Sequence, residues 1–142
     1  MDPQYTSIVV DSAKRLFSSK GRMADHFYTR LFEIAPESRA LFGNDMAKQK
    51  KVFSGALAML IGQIGDRNRL KTSVGYVARM HAKKGVTPEY LAIGGQAFHQ
   101  AVCDFYGDAC TEDLQRAWAA AYDEIVEIML ATGFLEDDAP AI

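Results

Sequence analysis

Residues 70–90, LKTSVGYVARMHAKKGVTPEY, constrain this chain more than any other stretch. Leu70, Val74, Val77 and His81 fall at offsets of 0, 4, 7 and 11, which is one face of an α-helix. A histidine therefore ends an apolar stripe, in the last turn of that helix. Gly85 follows, a residue that takes positive φ without steric cost and so stops a helix. Thr87-Pro88-Glu89 opens the next one, with Thr87 as N-cap, Pro88 in the first turn and an acid near the positive helix end. His81 is held between an apolar wall and a sharp corner, and two readings are open. A lone histidine in such a place is usually a core residue whose ring nitrogens are satisfied by backbone. The other reading is a metal ligand, with the imidazole aimed into an apolar pocket. Which one holds depends on what else points at the same space.

The 142 residues suit one domain with a single core, and 49% hydrophobic against 24% charged residues is a soluble, globular balance. A net charge of -2 argues against a nucleic-acid partner. Lysines cluster at Lys48, Lys50 and Lys51 and at Lys83 and Lys84; each group reads as a solvated helix edge or as a contact for an anionic cofactor group. No apolar run approaches the ~18 residues of a membrane span. The opening MDPQYTS has no basic start and no apolar signal core, so a cytoplasmic location is expected. Cys103 and Cys110 stand seven apart without a CxxC, which suggests neither zinc nor a disulfide framework, but half-buried or buried free thiols.

The periodicity predicts only helices. Asp2-Pro3 reads as a cap and first turn, and Ile8, Val9, Ala13, Leu16 and Phe17 carry that helix to about Ser18. A second helix is expected over 22–34, a short helical piece after Pro36 over 37–42, and a long helix over 46–64 with Gln49, Val52, Phe53, Ala56, Leu57 and Leu60 on one face. Gly55 and Gly62 are expected to mark the close approach of another helix. Residues 65–68 read as a loop. The helix over 90–106 contains Gly94-Gly95; no strand precedes the pair and no GxGxxG surrounds it, so close packing is expected there rather than phosphate binding. Thr111 caps a last helix striped by Leu114, Trp118, Ala121, Tyr122, Ile125 and Met129, which should end at Gly133 before a frayed tail over 134–142. The fold class is all-α, with about six to eight helices packed obliquely.

Hydrolase and nucleotide signatures (GxSxG, HExxH, a Walker loop) are absent. His26 and His99 read as surface or partly buried packing residues. Two polar residues besides His81 interrupt apolar stripes: Tyr28, in line with Ala24 and Leu31, and Gln49, in line with Phe53, Ala56 and Leu60. Singly, each has a plain account, a half-buried tyrosine and a glutamine near a helix start. Together with His81 they describe an apolar cavity with an imidazole on one wall and a phenol and an amide on another. Iron held by one axial histidine with polar donors opposite has that layout. A flat apolar cofactor would also use Phe27, Phe42, Phe53, Tyr76 and Tyr90.

The pieces FYTRLFEIAPESRALF (27–42), KQKKVF (48–53), HAKKGV (81–86) and AWAAAY (117–122), in that order, resemble a globin. The nearest likeness is to bacterial single-domain haemoglobins and the haem domain of flavohaemoglobins. The resemblance implies a globin fold over 1–142 around haem b. It makes His81 the proximal iron ligand and Phe42 the phenylalanine packed on the haem face. Tyr28 and Gln49 become the distal donors. Val52, Phe53, Val77 and Val86 fall where apolar haem contacts are expected, and Tyr90 and Tyr122 near the proximal side. The implied function is reversible binding of dioxygen, carbon monoxide and nitric oxide, by a monomer or homodimer. The alternative is a nitric oxide dioxygenase or peroxidase-like enzyme, which would need a separate reductase because the sequence to Ile142 holds no flavin or nicotinamide domain. Two departures stand out. The corner from His81 to Tyr90 is one residue shorter than the family pattern. The flavohaemoglobin pattern also has a late glutamate that pairs with the proximal histidine; here that place falls at or near Gly133, with Glu127 and Glu136 the nearest acids and neither in register.

Overall fold

The computed structural model describes residues 1–131, so the expected helix end at Gly133, the tail and Glu136 lie outside the described residues. The chain forms α1 (Pro3–Phe17), α2 (Arg22–Ile34), a 3-10 turn (Pro36–Leu41), α3 (Met46–Ile61), α4 (Arg67–Lys83), α5 (Pro88–Tyr106), a second 3-10 turn (Gly107–Ala109) and α6 (Glu112–Met129). Among the described residues there is no strand.

Local side-chain caps set most of these starts. Asp2 accepts from the Gln4 N–H at 2.8 Å, Thr87 from Tyr90 at 3.2 Å and Thr111 from Leu114 at 3.2 Å. Asp66 does the same for Arg69 at 3.2 Å, which draws Arg67 and Asn68 into α4; the loop expected over 65–68 is therefore shorter. At the other end of that connection α3 stops at Ile61, before the predicted 64, because the chain tightens into turns through Gly62 and Gln63.

α2 crosses α5, and α6 packs against α1, α4 and α5. The main core holds Val9, Leu70, Val74, Val102, Trp118 and Ile128, all within 1% of full burial. Ser12 ties three helices together: its carbonyl accepts from the Tyr106 hydroxyl at 2.7 Å and its hydroxyl from the Trp118 indole at 2.9 Å. A second, smaller cluster collects Tyr28, Leu31 and Ala97 with Phe32, Phe42 and Phe53.

The glycines divide by position. At Gly95 an added Cβ would lie 2.9 Å from Tyr122 Cε1, and at Gly94 3.2 Å from the Tyr122 hydroxyl, so this pair marks the close crossing of α5 and α6. Gly55 corrects the expectation made for it. No atom beyond its chain neighbours and its own helix backbone lies within 4 Å of a Cβ built there, and the residue borders an open cleft of about 270 Å³ beside Phe17 and Met23. Gly62 meets only carbonyls of its own helix.

Candidate functional site

The apolar face of α4 is buried as its spacing requires, with Leu70 and Val74 at 0% and Val77 at 8% exposure. His81 stands one turn beyond Val77, and its Nδ1 lies 2.8 Å from the Val77 carbonyl oxygen. A carbonyl only accepts, so Nδ1 carries the proton and Nε2 keeps its lone pair. Burial pushes the imidazole pKa down; the Val77 carbonyl opposes this, and the charge of Lys84 adds to it. The ring is therefore neutral at pH 7, oriented, and able to ligate a metal through Nε2. Behind it Gly85 takes φ +81, and the Val86 N–H returns to the His81 carbonyl at 3.1 Å.

The other two polar residues of the candidate site come from α2 and α3. Tyr28 is only 4% exposed and sits among aromatic rings, with centroids 5.3 Å from Phe42, 5.7 Å from Phe53 and 5.9 Å from Phe32. Gln49, in the first turn of α3, donates from Nε2 to the Tyr28 hydroxyl at 3.0 Å. Its Oε1 accepts from Lys84 Nζ at 3.1 Å. An ammonium can only donate, so this contact fixes which end of the amide faces Tyr28. Tyr28 accepts the amide proton, and its own hydroxyl proton remains available for another acceptor. Burial pushes the phenol pKa up, with a smaller opposing effect from Gln49, so the group stays protonated and is a donor. Lys84 Nζ also lies 6.0 Å from the Phe42 ring centroid. Three residues after His81, Lys84 thus joins the end of α4 to the Tyr28–Gln49 pair.

Tyr28, Gln49, Phe42 and Phe53 form one group, with Phe53 also stacked on Phe27 at 4.6 Å. Val86 is half-buried against the main core. Val52 is 44% exposed. Tyr76, expected among the aromatics of a cofactor cavity, is 56% exposed on the far side of α4. Tyr90 is half-buried, and its N–H is the one capped by Thr87. The next residue, Leu91, is 6% exposed, and its carbonyl accepts from the Tyr122 hydroxyl at 2.7 Å, while the Tyr122 ring stacks on Phe98 at 5.5 Å. Glu127 faces Arg67 at 3.6 Å and is largely exposed, so it is turned to a different partner from His81. His99 is exposed, and His26 packs edge-on to Phe105 at 6.4 Å.

Sequence reasoning missed the placing of two residues. Helical spacing says nothing of Phe32 beyond its place in the second helix, and it offers Lys84 only a solvated edge or an anion contact. The corner position of Lys84 was visible, but no local rule pairs residues 35 apart.

Among the described residues no group of three or more His, Cys, Asp and Glu side chains could hold a metal ion, and no helix is long and apolar enough to cross a membrane. A metal on His81 would have to bring its remaining ligands with it.

A flavohemoprotein of Bordetella pertussis is 29% identical over 133 residues, covering 92% of this chain and 33% of its own length. One from Rhodopirellula baltica is 31% identical over 107 residues, 73% of this chain and 26% of the relative. The chain thus spans about a third or less of these relatives. Two solved structures share the fold. A bacterial globin from Campylobacter jejuni superposes with a TM-score of 0.79 at 22% identity, over 94% of this chain and 98% of that one. An engineered carbene transferase, assigned as a nitric oxide dioxygenase of Rhodothermus marinus, gives 0.84 at 23% identity over 96% of both. The globin family profile matches residues 25–129, from the second turn of α2 to the end of α6, and the chain belongs to the globin family.

Proposed function

We propose that this chain is a haem-b globin domain over 1–142 that binds dioxygen reversibly in the cytoplasm, with carbon monoxide and nitric oxide as further ligands. The observation that carries the reading is the direction of the Gln49–Tyr28 hydrogen bond. It leaves the Tyr28 proton unspent in an apolar, aromatic surround. A buried phenol held as an acceptor on one side is a donor awaiting a polar ligand.

The residues fit haem. His81 offers one neutral, oriented nitrogen, which suits a metal that arrives already ligated by a macrocycle. Haem iron held there supplies an open coordination position for a diatomic gas. His81 would be the protein ligand. Phe42, Val52, Phe53, Val77, Val86, Tyr90 and Tyr122 would contact the cofactor. Tyr28 would donate to a polarised gas, and Gln49 would keep the phenol turned for that role. A hydrogen bond in such a low-dielectric surround is stronger than in water. The test is an absorption spectrum of purified protein, reduced and then exposed to carbon monoxide. A protein that stays colourless and gains no Soret band after haem addition overturns the reading.

The Rhodothermus marinus neighbour, assigned as a nitric oxide dioxygenase, together with the flavohemoprotein relatives, favours a second reading, a nitric oxide dioxygenase working with a separate reductase. Nitric oxide consumption by this chain alone should then stop after about one turnover and resume on adding a reductase, because the electrons must come from another cofactor. Steady turnover without reductant would contradict the need for that partner.

A further inference from the structure

Cys103 and Cys110 are seven residues apart, a spacing that matches no metal or disulfide framework by itself. The fold closes the gap. Gly107 ends α5 at φ +55, a conformation that favours glycine, and its N–H bonds the Cys103 carbonyl. The chain makes one 3-10 turn, and the Cys110 N–H bonds back to the Gly107 carbonyl at 3.0 Å. The Cys110 thiol then lies against the Cys103 sulfur at 3.2 Å, with both residues half-buried. Their backbones are held from both sides. Cys103 is on α5, whose Tyr106 is tied to Ser12. The Cys110 carbonyl accepts from the Gln115 side chain at 3.3 Å, and the adjoining Thr111 caps α6.

We propose that Cys103 and Cys110 form a redox-active dithiol that closes to an intramolecular disulfide by exchange with a small-molecule disulfide. The thiolate of one cysteine attacks a sulfur of the small disulfide, forms a mixed disulfide and releases one small thiol. The second cysteine attacks the protein sulfur of that mixed disulfide and releases the other. Both protein sulfurs are oxidised, the small disulfide is reduced, and the two protons end on the two small thiols. The sulfurs need only close from 3.2 Å to the bonded distance of about 2.0 Å. Burial, and then the contact with Cys103, push the Cys110 thiol up to about 11, so Cys110 is held as the protonated thiol at neutral pH. Closure would join the end of α5 to the approach to α6. It involves none of the residues assigned to gas binding and stands whether or not haem is bound.

The test is exposure of the reduced, folded full chain to oxidised glutathione, followed by alkylation and mass measurement. The expected product is a monomer lighter by two hydrogens, with neither cysteine alkylated and one cross-linked peptide containing both. Cys103→Ser and Cys110→Ser should each hold a glutathione adduct that does not resolve. Two alkylatable thiols after exposure, a lasting adduct on the unaltered chain, or a disulfide between two chains would each overturn the proposal, and none of these depends on a variant folding.

Discussion

Replacing Tyr28 by Phe removes one oxygen from a residue that is otherwise packed on all sides. The ring should keep its place, because Phe42, Phe53 and Phe32 surround it within 6 Å between centroids. What changes is the hydrogen bonding. Gln49 loses its acceptor, and a bound gas would lose the phenol proton that Gln49 leaves free. A hydrogen bond to a partly charged acceptor is worth roughly 1.5–3 kcal/mol. At about 1.4 kcal/mol per factor of ten, dioxygen release should speed up by roughly ten- to a hundredfold. Carbon monoxide is far less polar in the same position, so its release should change little. Gln49→Leu should have a smaller effect of the same kind, since Tyr28 keeps its proton but loses the partner that turns it. The assay is stopped-flow release of both gases from the three proteins. An unchanged dioxygen rate in Tyr28→Phe, or equal shifts for both gases, would mean that Tyr28 is packing and not a donor. If Gln49→Leu alone acts, the donor is Gln49.

His81→Gly should lose stable haem retention and regain part of it in free imidazole; a normal haem spectrum without imidazole would move the search to His26 or His99. Gly95→Ala should cost about 1–3 kcal/mol, because the new methyl meets a Tyr122 ring pinned by Leu91 and Phe98. Gly55→Ala, with open space around it in mid-helix, should gain about 0.5–1 kcal/mol; urea midpoints of the two variants moving in the same direction would refute the distinction. Arg30 grips Asp104 at 2.6 and 2.8 Å and holds its carboxyl below the usual 3.8. The unfolded chain therefore binds the proton more readily, so the contribution of the pair is complete above pH 3.8 and fades as the pH falls through the lower folded value. Asp104→Asn should flatten that acid limb in thermal melts taken across pH, and an unchanged limb would assign it to other carboxylates.

Much of the helix map follows from interactions within about four residues. Asp2, Thr87 and Thr111 cap because a short oxygen-bearing side chain reaches the backbone two or three residues on. The stripes of α4 and α6 are buried because helical spacing puts them on one side. Where two local signals competed, the reading slipped: Asp66 looked like a loop residue with Gly65 but acts as a cap, and α4 begins earlier for it. The three polar interruptions, Tyr28, Gln49 and His81, were visible for the same local reason, since each breaks the pattern of its own helix face.

Contacts between elements are another matter. Tyr28 and Gln49 are 21 residues apart and Gln49 and Lys84 are 35 apart, and their meeting depends on how α2, α3 and the end of α4 cross. Gly55 and Gly95 look alike in sequence, yet one faces open space and the other a tyrosine ring, because only α5 is crossed closely at that point. Cys103 and Cys110 have a spacing with no meaning until Gly107 turns the chain back on itself. Periodicity told which side chains share a helix face, while the crossing of helices and the turn at Gly107 decided which of those faces, and which sulfurs, touch.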